Sequence, residues 1–126
     1  MTQDSEQSLR FHEVESIRRD EALAAFDSND AKQICNALIS ITFHDPDWRW
    51  VQEQCMRLAK FPNVEVRGLV ATCFGHIARI HGQLDIEPVS STLKLLADDP
   101  EVAHRVDDAV DDIRMFMKID LSNRVI

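Results

Sequence analysis

Hydrophobic positions recur at helical spacing along most of the chain, and the alternation typical of strands is nearly absent before the C-terminus. Short clusters of Asp, Asn and Pro separate the apolar runs. The pattern predicts six helices, at about residues 8–26, 31–43, 46–60, 64–81, 88–97 and 100–117. Asp45-Pro46 and Asp99-Pro100 each read as an N-cap followed by a first helical residue, and Gly82 reads as a left-handed C-cap. The sequence therefore predicts an all-α protein, folded as one domain over residues 1–126.

A spacing of 36 residues relates the second, fourth and sixth predicted helices. Four columns of apolar residues align at this spacing: Ile34, Val70 and Val106; Ala37, Cys73 and Ala109; Leu38, Phe74 and Val110; Ile41, Ile77 and Ile113. The preceding turns align as well, at Asp27, Asn63 and Asp99, and Leu23, Ala59 and Leu95 form a further column ahead of them. One spacing that holds twice without a gap favours a helix-pair repeat, with hairpins over residues 8–44, 45–82 and 83–117.

The turns between paired helices resemble those of HEAT-like repeats, in which an Asp/Pro turn precedes Val-Arg and an apolar second helix. The stretches 95–102 (LLADDPEV) and 63–67 (NVEVR) carry the resemblance, and Arg67 stands where that family often has a basic residue. Ala103 replaces this residue in the third hairpin, and the first hairpin lacks the motif, so the resemblance covers about residues 45–115.

This resemblance implies a short right-handed α-solenoid of about three hairpins, whose second helices line a concave face that usually binds other proteins. Stacked hairpins leave the last one open at the end of the array. We expect residues 118–126 either to lie extended across it, with Ile119, Leu121 and Val125 facing inward, or to form a frayed tail.

Negative charge is concentrated in residues 98–112. The chain has 14 Lys and Arg against 22 Asp and Glu, a net charge of −8, and this segment alone holds seven acids and one base. If the repeat positions face the core, Asp107, Asp108, Asp111 and Asp112 fall on the opposite surface. Like charges at helical spacing repel, and a mixture of Glu and Lys would keep the surface of a helix solvated at a lower cost in free energy. The pattern favours a surface for a basic partner protein over one that only confers solubility.

The same charge balance argues against nucleic acid and anionic membranes as partners. No apolar run is long enough to cross a membrane, and the polar N-terminus shows no signal peptide, so we expect a cytoplasmic protein. His104 and Asp108 lie one turn apart but have no third ligand in sequence, and the spacing of Cys35, Cys55 and Cys73 fits neither a metal site nor a redox pair. We expect buried, reduced thiols and no metal or cofactor.

No catalytic motif occurs, so we expect a non-catalytic binding protein rather than an enzyme. The sharpest hypothesis is a bacterial immunity protein, monomeric when free, that neutralises a basic toxin such as a nuclease domain. The alternative is a HEAT-like adaptor or maturation chaperone that grips an apolar helix or peptide of a partner enzyme. Trp50 beside Arg49 fits either an interface hot spot or packing on a neighbouring hairpin. The candidate partner-binding residues are Asp107, Asp108, Asp111, Asp112, Glu101, His104 and Trp50.

Overall fold

A computed structural model describes residues 14–125, and this part of the chain contains seven α-helices and no strand. The helices are α1 (Arg19–Phe26), α2 (Ala31–His44), α3 (Trp48–Leu58), α4 (Val64–His81), α5 (Ile86–Ala97), α6 (Ala103–Met117) and α7 (Ser122–Val125). The predicted all-α fold class is confirmed.

The helices pack in two layers. In one layer α4 lies between α2 and α6 and contacts both. In the other layer α1, α3 and α5 each pack against the helix that follows them in the chain. The pairs α1–α2, α3–α4 and α5–α6 therefore lie side by side as hairpins.

All twelve apolar positions that align at the 36-residue spacing are buried, with at most 8% of any of them exposed. They point into the space between the two layers, where burial of apolar surface is the main stabilising contribution. The three residues of the further column, Leu23, Ala59 and Leu95, are not equally buried. Ala59 is buried, but Leu23 is half-buried and Leu95 is 46% exposed, because the three first helices do not meet equivalent neighbours.

Side-chain caps fix the starts of α2 and α4. Asp30 accepts the backbone N–H groups of Lys32 and Gln33 at the start of α2, and Asn63 accepts those of Glu65 and Val66 at the start of α4. These bonds satisfy amides that have no partner within the helix. Gly82 ends α4 with φ of 65°, so the predicted left-handed C-cap is confirmed.

Three helices begin elsewhere than predicted, and for two of them, α3 and α6, the prediction rested on an Asp-Pro pair. α3 begins after Asp47, whose side chain accepts the N–H of Trp50, and not after Asp45. α6 begins at Ala103, three residues beyond Pro100, and α5 begins at Ile86 rather than at Pro88. At α3 and α6 the carboxylates of Asp45 and Asp99 each accept the N–H of the residue two positions on and also pair with an arginine of another helix, so each stabilises the turn before the helix.

The first helix is shorter than the predicted range of residues 8–26. It begins at Arg19, residues 14–18 are not helical, and residues 8–13 lie outside the described part of the chain. Side chains of α2 bind the non-helical segment, since Ser40 donates to the carbonyl of Glu15 at 2.6 Å and the His44 ring contacts the carbonyl of Val14. Ile17, an apolar residue of this non-helical segment, is 36% exposed.

The C-terminal segment forms a short helix instead of the predicted extended strand or frayed tail. Lys118 adopts a left-handed conformation with φ of 62° and ends α6, and α7 then packs against α5. Leu121 and Val125 are buried in the core, and Ile119 packs against it. The positions that were predicted to face inward therefore do face the core, but they belong to a helical turn and its flanks rather than to an extended segment.

Ion pairs and hydrogen bonds from arginines join neighbouring hairpins. Arg49 on α3 donates twice to Asp85, with N–O distances of 3.0 Å, and the buried amide of Gln52 donates to the same carboxylate at 2.9 Å. The backbone N–H of Asp85 returns a bond of 2.7 Å to Gln52. Arg49 and Gln52 together lower the pKa of Asp85. Two-sided bonding of this kind holds the start of α5 against α3.

A second such contact joins α4 to the turn between α5 and α6. Arg67 donates to the Asp99 carboxylate at 2.6 Å, and another of its nitrogens donates to the carbonyls of Phe61 and Pro62. Asp99 also accepts the backbone N–H of Glu101 at 2.9 Å. The Arg67 guanidinium is the largest cause that lowers the pKa of Asp99.

We expect Asp99→Asn to lower the stability of the protein more at neutral pH than in acid. The lowered pKa means that the charged form stabilises the fold above the ordinary value of 3.8, and that this contribution is lost as the pH falls through the folded-state pKa. Urea unfolding at pH 7 and at about pH 3 measures the difference. The exposed neighbour Asp98 is the matched control, and Asp98→Asn should leave both midpoints unchanged. An equal loss for Asp99→Asn at both pH values would contradict the role of the charge.

Candidate functional site

The four aspartates of α6, Asp107, Asp108, Asp111 and Asp112, form the acidic surface of this protein. The core side of the same helix consists of Val106, Ala109, Val110 and Ile113, all of which are buried. Asp107, Asp108 and Asp111 are exposed, as the helical pattern predicted, because they lie opposite that apolar stripe.

The acidic surface is only slightly neutralised by the rest of the chain. Among residues 14–125, Asp107 and Asp108 form no ion pair, whereas Asp111 pairs with Arg114 at 2.8 Å on the same helix. Both members of that pair are more than half exposed, so it contributes well under about 1 kcal/mol to stability. A partner's cations could compete for Asp111 at little cost.

Asp112 is less exposed than the helical pattern predicted. It is half-buried at the contact between α6 and α4, and its carboxylate covers Gly75. A Cβ on residue 75 would stand 2.7 Å from Oδ2 of Asp112 and 3.3 Å from its Cβ. Glycine at this position therefore makes room for the carboxylate, and Asp112 forms the edge of the acidic surface that faces α4.

Arg105, the one base within residues 98–112, also lies over α4. Its aliphatic stem packs against Gly68, where an added Cβ would approach Cδ to 3.0 Å, and its guanidinium reaches Thr72 at 3.5 Å. It forms no ion pair with the residues that the structure describes. The positive charge is thus held over α4 by packing and leaves Asp107 and Asp108 uncompensated.

The exposed side of the α2–α4–α6 layer continues from Asp112 toward α2. The His76 ring on α4 packs against Phe43 on α2, with ring centroids 5.1 Å apart. Burial lowers the pKa of His76, Arg79 lowers it further, and Asp112 opposes both effects. His76 is therefore held neutral at physiological pH, and it adds no positive charge beside the acidic surface.

The remaining candidates are dispersed. Glu101 is exposed in the turn that precedes α6, and His104 is exposed in the first turn of α6, the helix that carries the acidic surface. Trp50 is half-buried on α3, and the guanidinium of Arg19 on α1 stacks on its ring at 4.4 Å. Because α1 belongs to the first hairpin and α6 to the third, the structure does not bring Trp50 to the acidic surface.

Two exposed apolar residues adjoin the acidic surface, and neither is among the candidate binding residues predicted from the sequence. Met115 is 62% exposed and Phe116 is 42% exposed, near the end of α6. Met115 follows Asp111 by four residues, and Phe116 follows Asp112 by four. Spacing of this kind places each apolar side chain one turn beyond an aspartate. The signal for Phe116 was present in the sequence, as an aromatic residue outside the core positions of the repeat.

The cysteines and the metal candidates form no reactive centre in the described part of the chain. Cys55 and Cys73 are buried and Cys35 is half-buried, so the expectation of full burial is wrong for Cys35, and all three are free thiols. A hydrogen bond to Cys73 and burial raise the pKa of the Cys55 thiol, which keeps it neutral. Within residues 14–125 no three His, Cys, Asp or Glu side chains are grouped to hold a metal ion.

Comparison with known proteins links this chain to a CDI complex. No protein-family model matches the sequence, and no curated protein matches it. The chain is similar to one in the crystal structure of a CDI complex from Cupriavidus taiwanensis LMG 19424, with a TM-score of 0.74 and 31% sequence identity. The match covers 82% of this chain and 92% of that one. This chain belongs to the same family as that CDI-complex protein.

Membership of the CDI-complex family accounts for the fold without reference to HEAT proteins, and the HEAT resemblance of the turns finds no support in the comparisons. In the described residues no helix of this family member is long and apolar enough to cross a membrane.

We expect the contact between Gly75 and Asp112 to appear as a coupling in a double-mutant cycle. Gly75→Ala gains roughly 0.5–1 kcal/mol of helix propensity, but the added Cβ displaces the Asp112 carboxylate, so the substitution should be less favourable when that carboxylate is present than when it is absent. In the background of Asp112→Ala the same substitution should be neutral or stabilising. A coupling free energy of about 1–2 kcal/mol is expected from urea unfolding, and additive effects would contradict the placement of Asp112.

Proposed function

We propose that this chain is the immunity protein of a CDI (contact-dependent inhibition) toxin–immunity pair, and that it acts by binding and neutralising the toxin domain. The observation that supports this most directly is the match to the CDI-complex protein, at 31% identity over 92% of its length. Similarity at that level over nearly the whole chain supports a shared role more strongly than fold similarity alone.

The chemistry of the described residues supports binding rather than catalysis. The four carboxylates of the acidic surface are not arranged around a buried nucleophile or a metal group. Three of them are exposed on a rigid helix that is fixed by its buried face. A rigid anionic helix can dock against a cationic surface without paying for ordering on binding.

The partner that best complements this surface is a basic toxin domain, such as a nuclease. A nuclease must bind phosphate groups, so its substrate cleft presents Arg and Lys side chains. Asp107 and Asp108, which lack ion-pair partners among residues 14–125, would approach those side chains and exclude the substrate. Complementary charge would also accelerate the encounter between the two proteins. The site of action that we propose is the cytoplasm, as expected from the sequence.

Replacement of Asp107 and Asp108 by Asn should weaken binding of the toxin domain mainly through the association rate. The partner to use is a catalytically inactive form of the C-terminal domain encoded immediately upstream of this chain. We expect the association rate to fall about three- to ten-fold at low salt, and the difference from wild type to shrink as salt rises. Stopped-flow or surface plasmon resonance measurements over a range of NaCl concentrations test this.

Glu15→Gln with Glu53→Gln is the matched control, because both residues are exposed and the change in net charge is the same. It should leave most of the association rate unchanged. Equal effects of the two double variants would mean that only net charge matters. Tight binding that is insensitive to salt and to Asp107 and Asp108 would favour a partner held in an apolar groove, as in the adaptor hypothesis.

A further inference from the structure

The end of α6 combines two exposed apolar side chains with the carboxylates of the acidic surface. Met115 and Phe116 are adjacent and largely exposed, and the four carboxylates of the acidic surface lie on the two turns before them. Exposed apolar side chains are common singly, but Met and aromatic residues are enriched where protein interfaces are buried, and Asp is depleted there.

The register of α6 against α4 shows which way this end faces. Arg105 lies over Gly68 and Asp112 lies over Gly75, so the two helices run parallel with a constant offset. Continuing that offset by one turn places Phe116 beside Arg79 of α4, which is exposed. Phe116 thus lies at the α4 edge of the surface, in line with Asp112, and Met115 lies in line with Asp111.

We propose that Met115 and Phe116 are the apolar anchor by which this chain docks onto a cationic protein surface, with the acidic surface forming the charged rim beside them. The inference rests on the proposed function and names the residues that hold the complex together once it has formed. Its occupant is a basic domain with an apolar depression, whose Arg and Lys side chains lie on the side of the depression that meets the acidic surface rather than on the side near Arg114 and Lys118.

Charge selects this occupant over two others. A second copy of this chain would bring two acidic surfaces together, which repel each other. Residues 1–13 of this chain carry Asp4, Glu6 and Glu13 against Arg10, so they are repelled as well. In addition, the described chain begins with Val14 against α2, at the opposite edge of the α2–α4–α6 layer from α6.

The anchor and the acidic surface should affect different rate constants. Rim charges act at long range on the encounter, whereas a buried apolar side chain acts on the lifetime of the complex. For the upstream-encoded toxin domain, Phe116→Ala should raise the dissociation rate about 10- to 100-fold, and Met115→Ala should raise it about three- to thirty-fold. The association rate and its salt dependence should stay within about twofold of wild type.

Leu95→Ala is the matched control, because Leu95 is 46% exposed and lies on α5 close to the turn at the other end of α6. It should change neither rate constant. Thermal unfolding followed by circular dichroism verifies that each variant is folded, and Phe116→Leu should restore most of the lifetime if burial of apolar area is the cause.

The outcomes are distinct. If the wild-type chain binds and neither Phe116→Ala nor Met115→Ala shortens the complex lifetime, the anchor is wrong while the proposed function stands. If the wild-type chain does not bind the upstream-encoded domain, the proposed function fails and the anchor fails with it. If the free chain is a dimer that Phe116→Ala converts to a monomer, a second copy covers these residues, and the inference is overturned.

Discussion

The close contact between α4 and α6 is the constraint on which the orientation of the acidic surface depends. Two glycines of α4 leave room for two long or charged side chains of α6, with Arg105 over Gly68 and Asp112 over Gly75. These contacts fix the rotation of α6 about its own axis. Because Val106 and Ile113 must remain in the core, the other aspartates then point to solvent. A rotation by one position would bury carboxylates without partners, which costs far more free energy than the exposure of apolar groups.

The arginine contacts between hairpins explain why negative charge is localised at the third hairpin. Four aspartates in the turns and linkers, Asp27, Asp45, Asp85 and Asp99, each pair with an arginine from another helix. These pairs hold the hairpins in register and cancel much of the charge there. On α6 the available cations are Arg114, which pairs with Asp111, and Arg105, which is held over α4. The charge asymmetry of the sequence therefore becomes an asymmetry of the molecular surface.

An acidic rim with an apolar end divides the tasks of recognition between two kinds of force. Electrostatic attraction acts over about 10 Å at ordinary salt and brings a basic partner to the correct side of the molecule. In the proposed complex, burial of Met115 and Phe116 acts only in contact and therefore controls how long the complex lasts. The proposed neutralising role requires both properties, because the chain would have to reach the toxin before the toxin reaches its substrate and would then have to stay bound.

Local periodicity was enough to predict six of the helices in outline, the apolar core and the concentration of acids. The twelve aligned positions were predicted to be apolar equivalents and all are buried, and Gly82 ends α4 as its type predicts. Contacts between residues that are distant in sequence set the remaining features. The start of α1 and the conformation of residues 118–125 depend on contacts with α2 and α5, and the burial of Asp112 depends on a glycine 37 residues away in sequence. Whether a carboxylate is free or covered depends on which helix packs beside it, and local periodicity carries no information about that neighbour.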